Sequence, residues 1–109
     1  MIHGNERADL QISTIKENDI ESVPVWTTVQ TLFGWLDSIN GEAKYTSFDE
    51  KVQESSHVFL ADYKVLDRRV KAETSRAVID GHVYDITLID DPMGKHRQLE
   101  IYLKYTGGQ

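Results

Sequence analysis

The sequence predicts a mainly β protein, a small antiparallel β-barrel of about six strands with one long insertion loop or short helix. Three observations support this prediction. Apolar and polar residues alternate over several short stretches, as they do in half-buried strands. Turn-forming pairs such as Asp80-Gly81 separate these stretches. The chain has 109 residues, which fits a single domain over 1–109, and strands at this spacing are typical of a barrel or sandwich.

The first strands are predicted around Leu10 and Ile12 and over 23–36. The second stretch is rich in valine, threonine and aromatic residues, which favours a strand over a helix. Its length suggests a bent strand with a bulge at Gly34. Period-2 alternation puts Val25, Val29, Phe33 and Trp35 on one face and Trp26, Leu32 and Leu36 on the other. A loop is predicted over 16–19, and residues 1–7 and 106–109 are predicted to be flexible.

The middle of the chain is the least strand-like part. Asn40-Gly41 predicts a turn. Ser47 and Glu50 have the spacing of a capping box, which predicts a short helix over 48–54. A polar loop is the alternative for the same residues. An insertion of this length in a small domain is often functional.

The second half is predicted to hold the remaining strands. They cover 57–63, 76–79, a stretch that contains Tyr84, Ile86 and Leu88, and a last stretch that contains Leu99 to Tyr105. Asp80-Gly81 is predicted to form a type I′ hairpin turn. Tyr84, Ile86 and Leu88 are predicted to share one face. Residues 91–94 read as a turn that contains proline and glycine. The last strand alternates through Leu99, Ile101, Leu103 and Tyr105.

Composition excludes several classes of function. The net charge is −6, and only two small basic clusters occur, at 68–71 and 95–97, so tight and general nucleic-acid binding is not expected. The absence of cysteine excludes a disulfide framework, a thiolate zinc site and a cysteine nucleophile. No apolar run approaches the roughly 20 residues of a spanning helix, so we expect no membrane partner.

The candidate chemical groups do not predict an enzyme. The histidines, His3, His57, His82 and His96, lack the spacing of a helical metal site. Asp90-Asp91 precedes a proline, where aspartate commonly bonds its own turn. Ser56 and His57 are neighbours, and neighbours in a strand point to opposite faces, which argues against a hydrogen bond between them. We therefore expect no catalytic, cofactor-binding or metal-binding residues.

The aromatic residues leave a second hypothesis open. A small barrel can bind single-stranded nucleic acid by stacking bases on aromatic side chains. The candidates here are Trp26, Phe33, Trp35, Phe59, Tyr84 and Tyr105. The charges near the tryptophans are acidic or absent, which favours core or inter-subunit packing instead.

One ordered pattern extends over 55–105. It consists of Ser56-His57-Val58, Arg76, Gly81-His82-Val83-Tyr84-Asp85-Ile86, Ile89-Asp90-Asp91-Pro92 and Leu99-Glu100-Ile101-Tyr102-Leu103. In this order and spacing it resembles the head–tail joining proteins of tailed phages, also called head-closure, stopper or head–tail adaptor proteins.

The resemblance implies a structural protein of the virion neck that is made in the host cytoplasm. Such proteins resemble small barrels that assemble into a homo-oligomeric ring between the portal–adaptor protein and a tail-terminator or tail protein. The ring closes the DNA-filled head, contacts the packaged DNA transiently and docks the tail. On this basis residues 40–55 are the candidate gating loop, and their acids, Glu42, Asp49, Glu50 and Glu54, would be repelled by phosphates.

Overall fold

A computed structural model describes residues 4–15, 23–39 and 54–108 of the chain. They form six antiparallel strands: β1 (Glu6–Ile15), β2 (Pro24–Ser38), β3 (His57–Asp62), β4 (Arg76–Ile79), β5 (His82–Asp90) and β6 (Gln98–Gly108). A 3₁₀ turn, Pro92–Gly94, lies between β5 and β6. The predictions for 16–19, for the turn at Asn40-Gly41 and for a helix over 48–54 fall wholly or almost wholly outside the described residues.

The strands form one closed sheet in the order β1-β2-β3-β6-β5-β4. The seam between β1 and β4 runs from Ala8 opposite Ile79 to Gln11 opposite Arg76. Closure pairs each strand with two neighbours over part of its length, which removes most of the sheet edge that an open sheet would expose. The predicted fold, a small antiparallel barrel of six strands, is confirmed.

The core fills the inside of this ring with side chains from all six strands. Its largest members are almost fully buried: Leu10, Leu32, Phe59, Ile79, Ile86, Ile101 and Leu103. A smaller cluster around Val58 and Tyr102 packs with Ile39, Leu60 and Leu88. The predicted alternation of Leu99, Ile101 and Leu103 is confirmed, whereas Tyr105 is exposed.

The bulge of β2 lies at Val29 and not at Gly34. Leu10 pairs with Gln30 and Gln11 with Thr28, so Val29 is the extra residue. Because one extra residue shifts the alternation, Val29 packs against the core while Phe33 and Trp35 point outward. Glycine is required at position 34 because β3 approaches closely: a Cβ there would lie 2.0 Å from the backbone oxygen of Leu60.

A second bulge, in β5, places Leu88 on a different face from the one that the sequence predicts. Ile86 pairs with Leu103 and Leu88 with Tyr102, which leaves Thr87 as the extra residue. Leu88 therefore belongs to the smaller cluster and not to the face of Ile86. The Thr87 hydroxyl is buried, where it lies 2.6 Å from Ser55 Oγ and donates to the backbone oxygen of Tyr102.

The sheet includes part of each of the two end segments, 1–7 and 106–109, that the sequence predicts to be flexible. Residues 6–7 lie in β1, where Glu6 pairs with Gly34. Residues 106–108 lie in β6, where Gly108 pairs with His82. Both pairings extend the barrel wall, and the backbone hydrogen bonds that they form oppose fraying.

Candidate functional site

The residues of the ordered motif are spread over the barrel and do not form one cluster. Ser56 precedes β3 and His57 opens it, and the β4–β5 turn that contains Gly81 lies at the same end of the barrel. Tyr84 and Ile86 face the core from β5. Arg76 opens β4, and Asp91 and Pro92 follow β5 toward the other end. Each group therefore has its own local role.

Ser56 joins β3 to β6 and contacts its neighbour His57. Ser56 Oγ accepts a hydrogen bond from the backbone N–H of Tyr105 at 2.8 Å and lies 2.8 Å from His57 Nδ1. The expectation that Ser56 and His57 do not bond is wrong. Ser56 stands just before β3 begins, so the alternation of a regular strand does not apply to it.

His57 is partly buried, and this burial lowers its pKa below the ordinary value of 6.5. The neutral ring is therefore favoured. A neutral ring whose Nδ1 is unprotonated accepts the hydrogen bond from Ser56 Oγ–H. Because the hydroxyl also accepts from Tyr105, these contacts make it part of the barrel wall.

Two histidines and two tyrosines form a row of ring contacts at this end of the barrel. The ring centroids of His57 and Tyr84 are 5.1 Å apart, those of Tyr84 and Tyr105 are 5.4 Å apart, and those of Tyr105 and His82 are 5.8 Å apart. Burial raises the pKa of the Tyr84 phenol. No pattern in the sequence reveals this row, because its members come from three strands and meet only when β3, β5 and β6 pair.

Arg76 contacts both Gln11 at the β1–β4 seam and Trp26 on β2. Its guanidinium carbon lies 4.2 Å from the ring centroid of Trp26, and its Nε donates to Gln11 Oε1 at 2.8 Å. Burial lowers the pKa of Arg76, and the charge of Asp85, its partner across the β4–β5 pair, opposes that effect. The side chain thus clamps β1, β2 and β4 where the seam begins.

The turns predicted at 80–81 and at 91–94 are confirmed. Asp80 and Gly81 both have positive φ, 51° and 77°, as a type I′ turn requires. In the β5–β6 turn, Asp91 accepts a hydrogen bond from the backbone N–H of His96 at 2.9 Å and also contacts the His96 ring. The Tyr63 ring lies against His96 with a centroid distance of 4.5 Å.

The aromatic residues proposed as a stacking platform are divided between the core and the surface. Phe59 and Tyr84 are buried, whereas Phe33, Trp35 and Tyr105 are about half exposed. Arg7 pairs across the sheet with Phe33, but its guanidinium is bound to Asp9 at 2.9 Å. The structure therefore does not bring the six rings together on one basic surface.

The acidic loop is described only at its end. Glu54 is exposed, while Glu42, Asp49 and Glu50 lie outside the described residues. Within the described ranges, no group of three histidine, aspartate or glutamate side chains could hold a metal ion. No helix in the same ranges is long and apolar enough to cross a membrane.

Neither a protein-family model nor a curated protein sequence matches this chain.

Proposed function

We propose that this chain is a structural neck protein of a tailed phage or prophage. It would form a homo-oligomeric ring between the portal–adaptor protein and a tail-terminator or tail protein. The ring would assemble in the host cytoplasm and remain in the neck of the virion. There it would close the DNA-filled head and present a docking surface to the tail.

One observation supports this proposal: residues of the 55–105 motif, which resembles the head–tail joining proteins, stabilise a small closed barrel. Ser56 joins two strands, Gly81 makes a tight hairpin, and Arg76 clamps the seam. These are roles for a scaffold that presents surfaces and loops. They fit an assembly protein better than a module that binds a small ligand.

The mechanism would be steric. A loop over 40–55 in each subunit would project into the channel, block it and move aside when DNA is ejected. The acids Glu42, Asp49, Glu50 and Glu54 would repel the phosphates, so DNA would pass without adhering.

The test is electron microscopy of particles made by the source phage or prophage with this gene deleted. The proposal expects free tails beside heads that have lost their DNA. Intact virions would overturn it. A second strain with a shortened 40–55 loop separates gating from assembly, since it should assemble necks that leak DNA.

Single-stranded nucleic-acid binding gives a contrasting outcome. A labelled oligonucleotide titrated with the chain at low salt would show salt-sensitive binding that is weakened by Trp35→Ala. The neck proposal expects no such binding, because the exposed rings lie on an acidic chain.

A further inference from the structure

The β1–β2 hairpin reaches beyond the closed part of the barrel. β1 pairs with β4 only from Ala8 to Gln11, and β2 pairs with β3 only from Gly34 to Ser38. Farther out, Ile12–Ile15 pairs with Pro24–Thr27. Within the described residues these two segments, here called the ribbon, pair with no other strand.

Among the residues that the structure describes, nothing pairs with either outer edge of the ribbon. Outside the ribbon, at Gln30, β2 is covered by the 65–67 loop. The Gln30 side chain accepts a hydrogen bond from the backbone N–H of Asp67 at 2.6 Å and donates one to the backbone oxygen of Val65 at 3.1 Å. In the described part of the chain, no backbone hydrogen bond from outside the hairpin reaches the ribbon. A two-stranded ribbon is only marginally stable alone and gains stability from a third strand.

The ribbon also lacks the charges that usually protect an edge. Charged residues make up 28% of the chain, yet none occurs over 10–15 or 23–36. Val25, Thr27 and Thr28 are exposed there. Native edge strands generally carry lysine, other charges or bulges that prevent pairing. Pro24 blocks only the first position of β2. An unprotected, β-prone edge of this kind is suited to pairing with another strand.

We propose that the ribbon pairs strand to strand with the ribbon of a second copy of this chain. Because the ribbon carries no charged residue, two copies of net charge −6 can meet there without placing like charges against each other, and the edge gives no electrostatic preference for a charged partner. Each copy offers two open edges, one on β1 and one on β2. Pairing β2 of one copy with β1 of the next leaves an edge free at each end, so the contact can repeat into a closed ring.

This inference rests on the proposed function for its biological setting, since it supplies the subunit contact of the neck ring. It is tested on the isolated chain. A failure would remove this contact without changing what the deletion strain shows, so the two proposals fail separately.

The test is sedimentation velocity over a concentration series with the unmodified chain, Thr27→Lys and Thr74→Lys. Thr74 is exposed in the loop before β4, so Thr74→Lys matches the change in charge away from the ribbon. The unmodified chain and Thr74→Lys should associate as concentration rises. Thr27→Lys should weaken that association by roughly tenfold or more.

Thermal melts establish that each variant folds, and Val25→Lys replaces Thr27→Lys if the latter melts early. An unmodified chain that stays monomeric to its solubility limit would overturn the proposal. So would equal association of the ribbon variant and Thr74→Lys.

Discussion

Ser56 Oγ lies 2.8 Å from His57 Nδ1 and at the same distance from the backbone nitrogen of Tyr105, whose N–H it accepts. Through these two contacts a single hydroxyl joins the start of β3 to β6 and fixes the orientation of a ring that packs on Tyr84. The contacts give the Ser-His pair of the motif a structural role.

Ser56→Ala should destabilise the fold by about 1–2 kcal/mol, because the Tyr105 N–H loses its acceptor and His57 Nδ1 loses its partner. Urea unfolding followed by tryptophan fluorescence measures the change. Ser38→Ala, at an exposed position, is the control and should stay within about 0.5 kcal/mol of the unmodified chain. Equal effects of the two variants would show that the Ser56 contacts add no stability.

The lowered pKa of His57 predicts a loss of stability in mild acid. The unfolded chain binds the His57 proton below about pH 6.5, whereas the folded chain resists binding it, so unfolding is favoured as pH falls from there toward the folded pKa. His57→Asn cannot titrate and keeps a side-chain oxygen near the position of Nδ1. Between about pH 7.5 and about pH 5, the unfolding free energy of the unmodified chain should therefore fall more steeply than that of His57→Asn. Parallel curves would contradict this account.

Gly34→Ala should be among the most damaging small substitutions in the barrel. The added Cβ would lie 2.0 Å from the Leu60 backbone oxygen, so β2 and β3 would have to separate, at a cost of about 3 kcal/mol or more. Gly94→Ala is the comparison. Its Cβ meets nothing within 4 Å, and only the positive φ of 63° disfavours it, by about 1 kcal/mol. Denaturant midpoints should rank the two in that order.

Arg76 and Trp26 should be energetically coupled. A double-mutant cycle with Arg76→Met and Trp26→Leu measures this coupling, which we expect to be about 0.5–1 kcal/mol for a partly exposed cation–π contact. The methionine keeps the apolar stem, so the cycle reports the guanidinium over the ring. If the stability changes of the two single variants simply added up in the double variant, the contact would contribute nothing to the stability of the seam.

The sequence predicted the features that depend on local chemistry. The turn at Asp80-Gly81 follows from the ease with which these residues adopt positive φ, and strand positions such as Leu99 and Ile101 follow from alternation. The bulges at Val29 and Thr87 could not be predicted, because one extra residue leaves no mark in composition and only tertiary pairing reveals it.

The same limit explains the errors at the candidate site. The alternation of strand interiors argues against a contact between Ser56 and His57, yet Ser56 precedes the strand. The ring contacts of Tyr84 with His57 and Tyr105 link positions far apart in sequence, and no periodicity within one segment reports them.

The β1–β4 seam has a consequence for the order in which the protein folds. Gln11 and Arg76, which meet across it, are 65 positions apart. β1 cannot acquire its second neighbour until β4, which follows β1, β2 and β3 in the chain, has been synthesised. Hairpin pairs such as β4–β5 can form at once, whereas closing the ring carries the entropy of a long loop, so seam formation should be the slow, late step of folding.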